Sequence, residues 1–202
     1  MALGWKDWKQ SDVIYGIVAP VVVVLVIVGL SQLSSIFERG SYGIITGIVS
    51  EIEEIVILVG VPLILGLTWN RWAGGASGFL LGSIYATWWS VKFGMFYPGL
   101  LRGFGPTILG YVLSAMLIGY MAGALNKQSD NFRRMLIVGA ISATAGGLLL
   151  FGLFHLSTMN VVTGSDGFLL TVLTRTACGV IIPIIAKVFM WYGVALNKKA
   201  TL

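Results

Sequence analysis

The chain has one cysteine, Cys178, and one histidine, His155. A lone cysteine excludes an internal disulfide and any CxxC motif, and it leaves the redox compartment open. A lone histidine excludes a bis-histidine haem held within one chain and any histidine-rich metal site. Charge is scarce as well. Asp, Glu, Lys and Arg make up 10% of the residues, against about 25% in a soluble domain. No HExxH, GxSxG, P-loop or Asp-rich metal motif occurs. The sequence therefore reads as a non-enzyme, with no cofactor and no metal. An ATPase or a protease would need residues that this chain does not contain.

Apolar residues fill the space that charge leaves. The 202 residues are 57% hydrophobic, and the mean hydropathy is +0.92. That composition excludes a soluble globular protein, a disordered chain and a nucleic-acid-binding domain. The net charge of +5 has a simpler use in membrane topology and lipid contact. The expectation is an all-α, multi-pass integral protein of the cell membrane.

A hydrocarbon core of about 30 Å takes about 20 apolar residues to cross as a helix. Six segments qualify, at about 13–33, 44–69, 72–91, 107–125, 135–154 and 168–196, and they form one transmembrane domain over 1–202. The β-branched run Val21–Val24 would read as a strand in water, but a lone strand in lipid cannot satisfy its backbone. The last segment is too long for a perpendicular span; it must tilt, kink at Pro183 or project from the membrane. The first dozen residues carry Trp5, Trp8, Lys6 and Lys9 without a small-residue cleavage site, and read as an interfacial anchor rather than a cleaved signal.

Basic residues set the orientation. Lys6, Lys9, Arg71, Lys127, Arg133, Arg134, Lys198 and Lys199 fall on one side, and Arg39, Lys92 and Arg102 on the other. Eight against three predicts both termini inside, by the positive-inside rule. The longer connections then lie outside, and functional loops with them.

Small residues recur every four positions at Gly74, Gly78, Gly82 and Ala86, at Ala115, Gly119 and Gly123, and at Gly139, Ala143 and Gly147. Such stripes let helix backbones approach closely in lipid. They serve either packing within the bundle or docking of another subunit.

Charges interrupt this apolar pattern at Glu51, Glu53 and Glu54. A carboxylate in hydrocarbon costs about 2.5–3.5 kcal/mol on insertion scales. In one reading the span is only 55–69 and the glutamates cap its outer end, where the helix dipole favours anions. In the other the helix continues from about residue 44, and Glu51 and Glu54 share a face that lines a polar cavity. Arg175, in the outer half of the sixth segment, is the natural partner of Glu51 or Glu54. The pair is either structural or ligand-facing. Lys187 is expected to snorkel to the inner interface.

Trp88, Trp89, Phe93, Phe96 and Tyr97 crowd the outer end of the third segment. They make an aromatic belt or a stacking wall for a flat, apolar ligand. His155, at the outer end of the fifth segment, is either a capping or interfacial histidine, or a ligand or proton relay. Asn160, Thr163, Ser165 and Asp166 give the next loop enough polarity to close over a pocket. The candidate ligand-binding set is thus Glu51, Glu54, Trp88, Trp89, Phe96, Tyr97, Asn160 and Arg175.

A Gly-rich third span (Gly74–Gly82), an outer Phe96-Tyr97-Pro98-Gly99 turn and a Gly-rich fourth span (Gly110–Gly123) follow one another in this chain. In this order the stretch Trp72–Lys127 resembles the substrate-binding S components of energy-coupling factor vitamin transporters. The resemblance implies six helices with both termini inside and a ligand pocket formed by the outer loops and outer helix halves. It also implies partners, two ATPases and a transmembrane coupling protein, that drive uptake while this chain performs no catalysis. Two other roles fit the residues: a non-catalytic accessory subunit of a larger membrane complex, or a small channel or carrier with Glu51, Glu54 and Arg175 in its path. Lipid is an expected partner in every case; nucleic acid is not.

Overall fold

A computed structural model describes residues 52, 54–96, 106–156 and 165–191, and every element among them is helical. Residues from Glu54 onward form one compact unit, and it is this unit that is described. The expected first span, 13–33, lies outside the described residues.

The unit begins with a π-helical turn, Val56–Gly60, that runs directly into α1, Val61–Thr68. Pro62 explains the widened turn. It has no N–H for the carbonyl of Leu58, and its ring crowds that carbonyl, so the backbone before it opens. The chain then reverses within two residues. Asn70 ends the reversal, its Oδ1 accepting from the N–H groups of Trp72 at 2.9 Å and Ala73 at 2.8 Å. This is an N-cap: it satisfies donors that the first turn of a helix leaves without partners.

α2 runs over Arg71–Phe96 and α3 over Pro106–Asn126. They lie antiparallel and very close. A Cβ built on Gly78 would strike the backbone of Ala115, and one on Gly74 would strike that of Gly119. One on Gly82 would lie 2.8 Å from the Cα of Val112. Only glycine permits this approach. The small-residue stripes of the third and fourth predicted spans are therefore turned toward each other.

α4 spans Phe132–His155, with Asn131 as its N-cap. Met135, Val138, Gly139, Ser142, Ala143, Gly146, Gly147 and Leu150 are buried along it. That spacing of three and four residues is one face of a helix. Ser114 of α3 donates to the Gly146 carbonyl at 2.8 Å. The last element starts as a helical turn, Ser165–Phe168, widens into a π turn, Leu169–Leu173, and continues as α5, Thr174–Trp191. Helical structure continues through Pro183, which is buried. Gly139 of α4 and Gly179 of α5 meet as closely as α2 and α3 do.

The core is built from Val59, Leu63, Leu67, Ile118, Ala122, Met135, Val138, Ala143 and Ala186. The outward faces are apolar too: Phe79, Ile84, Ile137, Ile141, Ile181 and Ile184 are exposed. Three helical stretches are long and apolar enough to cross a membrane, Ile108–Asn126, Phe132–His155 and Thr171–Val188. A bundle with apolar residues both inside and outside, and with spans of this length, supports a membrane-embedded protein. α2 is longer than any of these, but its Gly, Ser and Trp content makes it less apolar. The Val56–Thr68 stretch is apolar and shorter.

Candidate functional site

Because neighbouring helices alternate in direction, the C-terminal ends of α2 and α4 and the start of α5 share one end of the unit. Glu54 lies at that end too, two residues before the π turn that leads into α1. Arg175 stands two residues after the other π turn, in the first turn of α5. The two form an ion pair, with Arg175 at 3% exposure and Glu54 at 14%. The pairing expected from the sequence thus forms, with Glu54 as the partner. Glu51 and Glu53 lie outside the described residues.

The surroundings of the pair are polar in a sparing way. Arg175 Nη1 donates to the Thr171 carbonyl at 3.2 Å. The π turn around Thr171 shifts the backbone register, and the arginine side chain takes up the carbonyl. The Tyr85 hydroxyl reaches Glu54 Oε2 at 3.4 Å. Among the described residues, Arg175 Nε is buried without a hydrogen-bond partner. Beside the pair, Thr176 and Thr144 share a 2.8 Å hydrogen bond between α5 and α4. A buried arginine with one carboxylate, one carbonyl and one donor still to satisfy is an incomplete coordination shell in a low-dielectric setting.

Aromatic rings extend from this cluster. Tyr85 stacks on Trp89 with centroids 6.3 Å apart. Tyr85 also meets Tyr111 edge-on at 5.2 Å, and Tyr111 meets Phe154 edge-on at 5.4 Å. Further along, Phe151 contacts Phe168 at 5.2 Å and lies beside His155 at 6.4 Å. His155 is exposed at the helix end, in keeping with an interfacial position.

Of the expected site residues, the structure brings Glu54, Arg175 and Trp89 into one neighbourhood. Trp88 is half-buried on α2. Phe96 closes α2, and its side chain is not among those described; Tyr97 and Asn160 lie outside the described residues. Tyr85, Tyr111 and Thr171 belong to the cluster although the sequence reading passed over them. A signal for Tyr85 was present. It stands three residues after Gly82 of the glycine stripe and four before Trp89, a helical spacing that turns it toward the neighbouring helix. Thr171 had no such signal, because it enters the cluster through its backbone carbonyl and not its side chain.

The opposite end is basic. Arg71, Lys127, Arg133, Arg134 and Lys187 gather there. Arg134 Nη2 donates to the Leu125 carbonyl at 2.6 Å, and Lys187 Nζ to the Asp130 carbonyl at 2.8 Å. Lys187 reaches the helix-end loop in the manner expected of a snorkelling lysine. Among the described residues no group of His, Cys, Asp and Glu could hold a metal ion.

Compared with known proteins, the chain matches no family model, no curated protein and no solved structure.

Proposed function

We propose that this chain is the membrane-embedded, substrate-binding subunit of a small-molecule uptake transporter, crossing the membrane six times with both termini inside. The observation that carries this reading is the Glu54–Arg175 pair with Tyr85 beside it and the Trp89, Tyr111 and Phe154 rings around it. Charges within a transmembrane bundle are costly, and they mark ligand or ion pathways more often than they serve packing. A few convergent polar groups against aromatic walls are the usual composition of a small-molecule site.

Two further features support the same reading. The cluster lies at the end from which the connections 97–105 and 157–164 depart, and the basic side chains lie at the other. The positive-inside rule makes the basic end inner and the cluster end outer, as uptake from outside requires. The small-residue stripes favour this role over that of an accessory subunit, because they are occupied within the unit: α2 against α3, and α4 against α5. The ligand is a small molecule with a flat or apolar body and a polar group for the ion pair. The energy for uptake comes from partners, a coupling protein and ATPases.

The test is a mild-detergent purification of the tagged protein from its native membrane, with mass spectrometry of co-purifying proteins and small molecules. The expected result is recovery with two ATPases and a membrane coupling protein, or with a stoichiometric small molecule. Recovery with subunits of an unrelated membrane enzyme, and with no small molecule, overturns the proposal in favour of an accessory subunit.

A further inference from the structure

A groove of about 460 Å³ opens at the basic end, between the start of α2 and the end of α3. Asn70, Arg71, Trp72, Gly123, Lys127 and Gln128 contribute to its lining, which includes no acidic side chain among the described residues. Gly123 is buried because the backbone of Asn70 and Arg71 lies against it. That close approach brings Arg71, on one helix, next to Lys127, which follows the other. Lys127 and Gln128 both adopt left-handed backbone conformations, with φ of 51° and 58°, and the Gln128 side chain fastens the turn by donating to the Trp69 carbonyl at 3.1 Å.

Neither cation has a carboxylate partner among the described residues. The Arg71 guanidinium lies over the Trp72 indole, 5.4 Å from the ring centroid. The first N–H groups of α2 are taken by Asn70, so any anion here is held by side-chain charge and not by the helix end. Arg71 at the first position of a helix also stands against the helix dipole. Two cations on one groove repel each other, and an anion between them relieves both penalties.

The form of that anion follows from what adjoins the groove. Trp72 is 62% exposed, and its ring meets Tyr120 edge-on at 5.7 Å. From Trp72 an exposed apolar stripe continues along α2 through Ala76, Phe79, Leu80 and Ile84. A free phosphate has no use for such a stripe. A phospholipid uses both parts, its charged head in the groove and an acyl chain along the stripe. Basic pockets between transmembrane helices near the inner surface bind anionic headgroups in this way. We propose that the groove formed by Arg71, Lys127 and Gln128 holds the phosphate of an anionic phospholipid, with its acyl chain against Trp72, Phe79 and Ile84.

The test uses the full chain in mild detergent with phosphatidylglycerol or phosphatidylcholine of identical acyl chains, and native mass spectrometry to count bound lipid. Each cation near the headgroup is expected to contribute about fivefold, so phosphatidylglycerol is preferred roughly twenty-five-fold. The double variant R71Q/K127Q is expected to bring that preference close to parity, with phosphatidylcholine, whose choline cation offsets its phosphate, changing less than phosphatidylglycerol. The single variant R71Q should reduce it about fivefold. Equal retention of the two lipids by the unmodified chain overturns the proposal without need of any variant. So does a preference that survives the double substitution. Displacement of phosphatidylglycerol by millimolar inorganic phosphate also overturns it, and assigns the groove to a free anion.

Discussion

At the scale of single residues, the chemistry of this protein concentrates on Arg175. Its side chain is nearly fully buried, so its charge has left water behind, and Glu54 is its carboxylate partner among the described residues. Removing one partner of such a pair leaves an uncompensated buried charge, which costs about 3–5 kcal/mol, whereas replacing both with apolar residues is often close to neutral. Arg175→Leu is therefore expected to lower the thermal midpoint of the purified protein in detergent sharply, and Glu54→Leu/Arg175→Leu to recover most of the loss. A double variant no more stable than the single one would show that the pair is not the source of the effect. The same double variant separates fold from the proposed function: it is expected to retain its structure and, where a small molecule co-purifies with the unmodified chain, to lose it. Asn126 is a second costly residue, fully buried, with Nδ2 bonded to the carbonyls of Leu67 and Ser129. It ties the end of α1 to the turn after α3 by taking up a carbonyl that a helix end leaves open.

At the scale of elements, the glycines divide by what faces them. Gly78 has the backbone of Ala115 where a side chain would go, whereas a Cβ on Gly152 would meet nothing within 4 Å beyond its own helix among the described residues. The two carry the same helix-propensity penalty, about 1 kcal/mol relative to Ala. They predict opposite signs. Gly152→Ala is expected to raise stability by up to about 1 kcal/mol, and Gly78→Ala to force α2 and α3 apart and lower it. Thermal melts of the two variants side by side check this; a loss at Gly152 or a gain at Gly78 contradicts the packing described. The two π turns differ in origin. The one before α1 answers Pro62, whereas the one before α5 contains no proline and ends two residues before Arg175. π turns recur at functional sites, and the second one contains Thr171, whose carbonyl accepts from the guanidinium.

At the scale of the whole molecule, the described unit is polarised, with a carboxylate–arginine–aromatic cluster at one end and a group of basic side chains at the other. This predicts a defined orientation. In a Cys178→Ser background, Gln128→Cys is expected to be protected from a membrane-impermeant maleimide in intact cells, and Leu156→Cys to be labelled. The reverse pattern would place the cluster inside and remove the basis for uptake from outside.

The sequence by itself determined much of this. Scarce charge and long apolar runs established helices in a membrane, since lipid leaves no other way to satisfy a lone segment's backbone. The four-residue spacing of small residues determined which faces pack. Arg175 needed a carboxylate, and few were on offer. What only the tertiary structure decided was the pairing. Glu54 and Arg175 are far apart in the chain, and both π turns change the register between the residues before and after them. Helical periodicity, counted at 3.6 residues per turn, cannot anticipate such a shift. The aromatic residues Tyr85, Tyr111 and Phe154 converge for the same reason: each is unremarkable on its own helix, and the close approach of glycine-faced helices brings them together.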